Sequence, residues 1–339
     1  MVLDVRLCPE NFHDTQTMYD SSQNSKTAVI HGQPCVFEAI DGFLLHGHLW
    51  KAESHPHTAL LINPATGVVA RYYSRYAALL ARAGFVVLTY DYRGIGASKP
   101  KSLRGFRATK HDWGALDCEA AIKFLSNSYP RLKMMAVCHS IGGFALGLAP
   151  SAVKIHRALF VACQYAYWND YRWLLRVPMW MNWHIVMPIL TKIFGYFPGK
   201  TLRWLEDLPA GVAMEWATRF HPSFHERYDR LSHAMEPAEG CELEGRMGAI
   251  QADILAIADI NDPFATIPAT SRLLKYFKKS NREFVRIHRR NRGLPKLGHF
   301  GFFHDRFETT LWAESLDWLR GKTQPWESLK FDSKTESFR

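Results

Sequence analysis

No Cys-X-X-Cys pair occurs in the 339 residues, and the six cysteines, Cys8, Cys35, Cys118, Cys138, Cys163 and Cys241, stand far apart. That spacing offers neither a thiolate metal site nor a redox pair. A chain of this length does not need disulfide staples, so a reducing cytoplasm is the expected setting. No metal or cofactor is implied. No apolar stretch is long enough to cross a bilayer, because the nearest, 177–197, is interrupted by Asn182, His184, Lys192 and two prolines. The opening segment to Lys26 carries Asp4, Arg6 and a polar run from Ser21 to Ser25 where a signal peptide would need an apolar core. Internal repeats, low-complexity tracts and recognisable nucleic-acid modules are missing as well, so nucleic acid is not an expected partner. Acidic residues are the minority charge, 32 against 42 Lys and Arg, giving a net +10. The corresponding pI of about 9.3 favours anionic partners without naming one.

Apolar content is plentiful, with 47% hydrophobic and 13% aromatic residues, enough to bury a sizeable core. Two short runs, Cys35 to Ile40 and Leu44 to Trp50, flank Asp41-Gly42 and read as a hairpin. Ala59 to Ile62 reads as a strand that Asn63-Pro64-Ala65-Thr66-Gly67 must end, since proline lacks a donor. Helical spacing over Arg71 to Ala83 stops at Gly84, and Phe85 to Tyr90 is the next strand. Further alternation follows: a helix over His111 to Ser128, strands at Lys133 to Cys138 and Ala158 to Ala162. After a gap come a strand at Ile254 to Ala258, a helix at Ile267 to Phe277, a strand at Glu283 to Ile287 and a helix at Phe307 to Leu319. Continuous apolar strands alternating with helices predict an α/β fold with a mostly parallel sheet covered on both faces.

The gap has a different composition. Trp168, Trp173, Trp180, Trp183, Trp204 and Trp216 crowd into it, and Pro178, Pro188, Pro198 and Pro209 cut it into short helices. It reads as an inserted helical lid whose apolar faces are expected to lie on the core, with attachment to a membrane interface as the less favoured alternative. The expected organisation is a poorly ordered segment at 1–30, the first part of the core at 31–162, the lid at 163–245, the second part of the core at 246–320 and a loosely held tail at 321–339.

At Lys133 to Gly143 an apolar run stops at a hydroxyl among small residues. This is the pattern of a strand, a sharp turn and a helix start that presents Ser140 as a nucleophile. The amide of Ile141 would face an oxyanion formed beside it. Cys138 stands where the first glycine of Gly-X-Ser-X-Gly is usual. A serine needs a base, and the base needs an orienting acid. His299, in Leu297-Gly298-His299-Phe300-Gly301, and Asp262, in the loop after the Ile254 strand, supply both in the chain order Ser, Asp, His. Asp259 competes with Asp262, but it adjoins the strand directly, whereas reaching a histidine takes a few residues of loop. All three would fall at the carboxyl edge of one sheet.

Over roughly residues 35 to 320 this pattern resembles the α/β-hydrolase superfamily. Asp91-Tyr92-Arg93-Gly94-Ile95-Gly96-Ala97-Ser98 is similar to a loop with a structural role in many members. Within the superfamily, Pro64-Ala65-Thr66-Gly67, Gly195-Tyr196-Phe197-Pro198-Gly199, Leu208-Pro209-Ala210-Gly211-Val212-Ala213 and Gly298-His299-Phe300-Gly301 resemble a little-characterised group of predicted serine hydrolases. The resemblance implies that the loop after the third strand lends a second oxyanion amide. Proline at 64 cannot donate, which leaves Ala65 and Thr66 as alternatives.

The expected activity is hydrolysis of a carboxylic ester, thioester or amide through an acyl-serine, acting on a small-molecule acyl substrate. Transfer of the acyl group to an amine, alcohol or thiol is the alternative, and a non-catalytic binding protein comes third. The basic run from Lys275 to Lys296 reads as a solvated face, or as a landing site for an anionic, thioester-linked substrate.

Overall fold

The computed structural model describes residues 31–53, 56–218, 237–323 and 326–339, with the side chains of 237–241 left aside. The segment 1–30 and the part of the expected lid at 219–236 therefore lie outside the described residues. In chain order the strands are β1 (Gln33–Glu38), β2 (Leu44–Trp50), β3 (Thr58–Asn63), β4 (Phe85–Tyr90), β5 (Lys133–His139), β6 (Ile155–Val161), β7 (Tyr196–Phe197), β8 (Leu208–Pro209), β9 (Asp253–Asp259), β10 (Asn281–Ile287), β11 (Leu329–Asp332) and β12 (Ser337–Phe338). Ten of them form one sheet in the order β1-β2-β4-β3-β5-β6-β9-β10-β11-β12. From β4 to β10 the pairing is parallel, and at both margins it is antiparallel.

The interior strands are buried at every position of β3 and β4, as expected where helices cover both faces. Their residues divide by parity. Ala59, Leu61, Val86 and Leu88 face one core with the helices Glu119–Ser128 and Gly142–Leu148. Leu60, Ile62, Phe85 and Val87 face the other with the helices Ser74–Arg82 and Ala313–Leu319. The first helix of that second layer ends as expected, with Gly84 left-handed at φ 94°. The loop Asp91 to Ser98 is a brace: the Asp91 carboxylate accepts from the amides of Ala70 and Ala97. Arg93 forms a buried pair with Asp117 at 2.6 Å and reaches Asp41 at the β1–β2 turn.

No strand of the main sheet falls between Val161 and Asp253 among the described residues. Instead, a continuous helical run over 173–194 ends at Gly195, with φ 78°. Two of the motifs quoted above then pair as a miniature hairpin, Tyr196 opposite Pro209 and Phe197 opposite Leu208. Helix Ala210–Ala217 follows. The helical run has two apolar sides. Met179, Trp183 and Met187 point inward, while Leu174, Val177, Met181, Ile185, Ile189 and Ile193 are exposed, so only the inner side meets the expectation of packing on the core. The residues after 321 depart from expectation too. They are not a loose tail: β11 pairs antiparallel with β10, β12 pairs with β11, and Phe338 is buried against Phe284. Alternation in Leu329-Lys330-Phe331-Asp332 carries that strand, but it is too short to stand out in a polar context.

Candidate active site

β5 delivers Ser140 at its carboxyl end. The amide of Ser140 still donates to Val161 O at 3.0 Å, so the ladder holds to this residue. Its backbone then turns left-handed at φ 52°, a strained value for a residue with a side chain, and the hydroxyl is lifted from the strand. The turn needs small neighbours: a Cβ on Gly142 would stand 2.5 Å from Asn63 O, too close for any other residue. Cys138 fits without a first glycine because its side chain enters the core rather than the turn. Its sulfur lies 3.8 Å from Asn63 Nδ2, and the Cys163 thiol donates to the Cys138 carbonyl at 3.2 Å. Burial pushes the Cys138 thiol well above its ordinary pKa, which keeps it protonated.

The three residues that the sequence spread over 160 positions meet here. His299 Nε2 is 3.0 Å from Ser140 Oγ, and His299 Nδ1 is 2.8 Å from Asp262 Oδ2. A carboxylate can only accept, so Nδ1 carries the proton and Nε2 is left to accept from the serine. Asp262 is fully buried, which alone would raise its pKa. The neighbouring imidazole of His299 and the amides of Phe264 and Ala265 outweigh burial and hold it below the usual carboxylate range. Asp259, the rejected alternative, points elsewhere: its carboxylate accepts from the amides of Gly298 and Asn261, both at 2.9 Å. It steadies the loop that carries the histidine.

A second line of hydrogen bonds runs beneath the first, and nothing in the sequence reading anticipated it. The Ala65 amide donates to Tyr73 Oη at 2.9 Å. Tyr73 lies 2.9 Å from His139 Nδ1, and His139 Nε2 lies 3.0 Å from the carbonyl of His299. Since a carbonyl only accepts, Nε2 carries the His139 proton, and Tyr73 donates to Nδ1. Burial, with His299 nearby, lowers the His139 pKa to about 3, so the ring stays neutral. The line has a consequence for the two candidate oxyanion amides. Ala65 is committed to Tyr73, whereas the amides of Thr66 and Ile141 have no acceptor among the described residues.

Ser140, Ile141, Thr66 and His299 form the floor of a cavity of about 80 Å³, roofed by Met179, Trp183, Met187, Trp204 and Trp216. In the measure where one water takes about 10–15 Å³, this holds on the order of five to eight water-sized groups. The roof is not purely apolar. Gln164 Oε1, Asn182 Oδ1 and Trp216 Nε1 are buried without a hydrogen-bond partner among the described residues, and the Lys110 ammonium lies 4.3 Å from the centre of the Trp216 ring. Lys110 left no mark in the sequence, because its burial beside Trp216, unusual for a lysine, comes only with the fold. The basic run is dispersed: Lys275, Lys278 and Arg292 are ion-paired, and Arg282 and Arg286 bond carbonyls within the fold. Arg290 and Lys296 remain exposed, and Arg289 is half-buried.

Residues 54–230, just over half the chain, match the family model described as serine aminopeptidase, S33. No curated protein matches the chain. Among solved structures, an esterase of Pyrococcus furiosus superposes with a TM-score of 0.53 at 13% identity, over 86% of this chain and 92% of that one. DcsB in complex with a substrate analogue gives 0.51 at 15%, over 86% and 98%. An acylaminoacyl peptidase of Pyrococcus horikoshii gives 0.51 at 14%, over 92% of this chain but 44% of that one. At these identities the likeness speaks for the fold.

Proposed function

The chain belongs to the serine aminopeptidase S33 family of α/β hydrolases, and from that premise we propose that it cleaves a carboxylic ester, thioester or amide through an acyl intermediate on Ser140. The observation that carries this is the unbroken line from Ser140 Oγ through His299 to Asp262, with contacts of 3.0 and 2.8 Å. His299 Nε2 takes the serine proton as Oγ attacks the carbonyl carbon, and Asp262 holds the ring and stabilises its cationic form. The same proton then goes to the leaving group. Water, activated by the freed imidazole, releases the acid.

The oxyanion is assigned to the amides of Ile141 and Thr66, because both are unaccepted and both line the cavity, while Ala65 is occupied. Each such donor is worth about 10²–10³ in rate. The cavity suits an acyl group of about five to eight heavy atoms. A bare hydrocarbon would leave the oxygens of Gln164 and Asn182 and the indole N–H of Trp216 unpaired, at about 1–3 kcal/mol each. A hydroxyl or carboxamide on the acyl chain, which both donates and accepts, would satisfy them. The test is labelling with a fluorophosphonate followed by peptide mapping, then hydrolysis of p-nitrophenyl esters of equal length with and without a distal hydroxyl. Modification at Ser140 and preference for the hydroxylated ester are expected. Labelling of the Ser140→Ala variant would overturn the nucleophile.

A further inference from the structure

We propose that the outer side of the helical run 173–194 docks on an anionic lipid surface. The inference goes beyond the hydrolase reading and stands without it. Along the run, Leu174, Val177, Met181, Ile185, Ile189 and Ile193 recur every three or four residues and all are exposed, Val177 at 66% and Ile193 at 64%. This is one continuous stripe about 29 Å long at 1.5 Å per residue. The opposite side carries Met179, Trp183, Met187 and Thr191, each buried, so the run has already satisfied the core and keeps a second apolar side facing water. Scattered apolar residues need no explanation, but a stripe of this length does.

Its surroundings choose the occupant. From Tyr171 to Leu205 there is no acidic residue, while Arg172, Arg176, Lys192 and Arg203 are all present; Lys200, beyond the run, is paired with Glu206. Arg172 and Lys192, at the two ends of the run, are exposed and have no ion-pair partner among the described residues. Trp173, exposed at 75%, opens the stripe, and Phe194 closes it. An apolar strip edged by cations, lacking acids and ending in aromatic rings matches the interfacial zone of a bilayer with anionic headgroups. A second copy of this chain fits worse, since a two-fold contact through the stripe would bring the same cations together without a counter-charge in a chain of net +10. No helix among the described residues is long and apolar enough to cross a membrane, so the run lies on the surface. Its inner side roofs the cavity, which puts the cavity directly beneath the docked face.

The full chain should co-sediment with vesicles of phosphatidylcholine and phosphatidylserine mixed at roughly 2:1, and less with phosphatidylcholine alone. Leu174→Ser/Val177→Ser/Ile189→Ser/Ile193→Ser should lower partitioning about a hundredfold or more. Its melting temperature and its turnover of a water-soluble ester should match the parent. Arg172→Gln and Lys192→Gln should each cost about fivefold, on the anionic vesicles only. Absence of binding to either vesicle, or binding that survives the four serines, overturns the proposal. So does a dimer in analytical ultracentrifugation that the four serines dissociate, which would give the face to a second copy. Loss of esterase activity in the parent with vesicle binding intact would count against the hydrolase reading alone.

Discussion

The floor and the roof of the cavity are held by different forces. The polar groups beneath the cavity are fixed by directed contacts: Ser140 to His299 to Asp262, Asp259 to the Gly298 amide, and the Ala65 amide through Tyr73 and His139 to the His299 carbonyl. The roof is held by ring contacts, Tyr171 on Trp183 at 5.4 Å and Trp183 on Trp216 at 5.4 Å, with Phe264 bridging to His299 at 5.2 Å. There, Asn182, Thr191 and Trp216 each keep a buried polar atom without a partner among the described residues. Hydrogen bonds have sharp distance and angle requirements, whereas apolar contacts adapt to shape. The floor is thus fixed in position and the roof is left adjustable. Changes to the floor should act on kcat, and changes to the roof on KM.

The largest effect that contrast predicts is for Asp262→Asn, expected to lower kcat about 10⁴-fold by leaving His299 in the wrong tautomer. Asp259→Asn should cost much less, about 10–100-fold, because it loosens only the Gly298 loop; steady-state kinetics on a p-nitrophenyl ester would rank the two, and reversed severity would transfer the acid role to Asp259. Next is His139→Phe, which severs the lower line and should reduce kcat about 10²-fold by shifting the base, with KM little changed. It also has a pH signature. With its folded pKa lowered to about 3 from 6.5, His139 binds a proton only in the unfolded chain, so the protein loses stability as pH falls through that window. Urea midpoints between those limits should fall more steeply for the parent than for the variant, by up to about 1.4 kcal/mol per pH unit. The smallest effect is for Trp216→Phe, which keeps the ring but removes the unpartnered N–H. KM for a hydroxylated ester should rise about 3–10-fold and kcat should stay put; an equal change for the plain alkyl ester would mean that the indole acts by shape.

Much of the floor was legible because its determinants are local. A strand of five apolar residues, Met134 to Cys138, a glycine that must face Asn63 and a histidine framed by glycines each leave a mark in their own stretch. That Asp262 rather than Asp259 would stand beside His299 was also readable, since reaching across a sheet edge takes loop. The lower line left no such mark: Ala65, Tyr73, His139 and His299 are separated by up to 234 positions, and only the packing of β3, β5, the helix start at Ser74 and the loop after β10 brings them together. Sequence spacing could leave Ala65 and Thr66 open, but not exclude either. The outer stripe of the lid was visible as hydrophobicity yet not as exposure, because periodicity with two apolar sides looks the same as one wide buried side. The closing strands β11 and β12 were missed because four residues make too short a pattern.

The proton on His139 Nε2 sits behind the loop that carries His299, shut off from water and held by the carbonyl of that residue. It can exchange with solvent only when the loop and the end of β5 part. Such a proton acts as a clock for the breathing of the site, slow enough to be followed by deuterium exchange and separable from global unfolding by its response to dilute denaturant. A fluorophosphonate adduct on Ser140, by tying the upper line shut, should slow that clock without touching the ring that carries it.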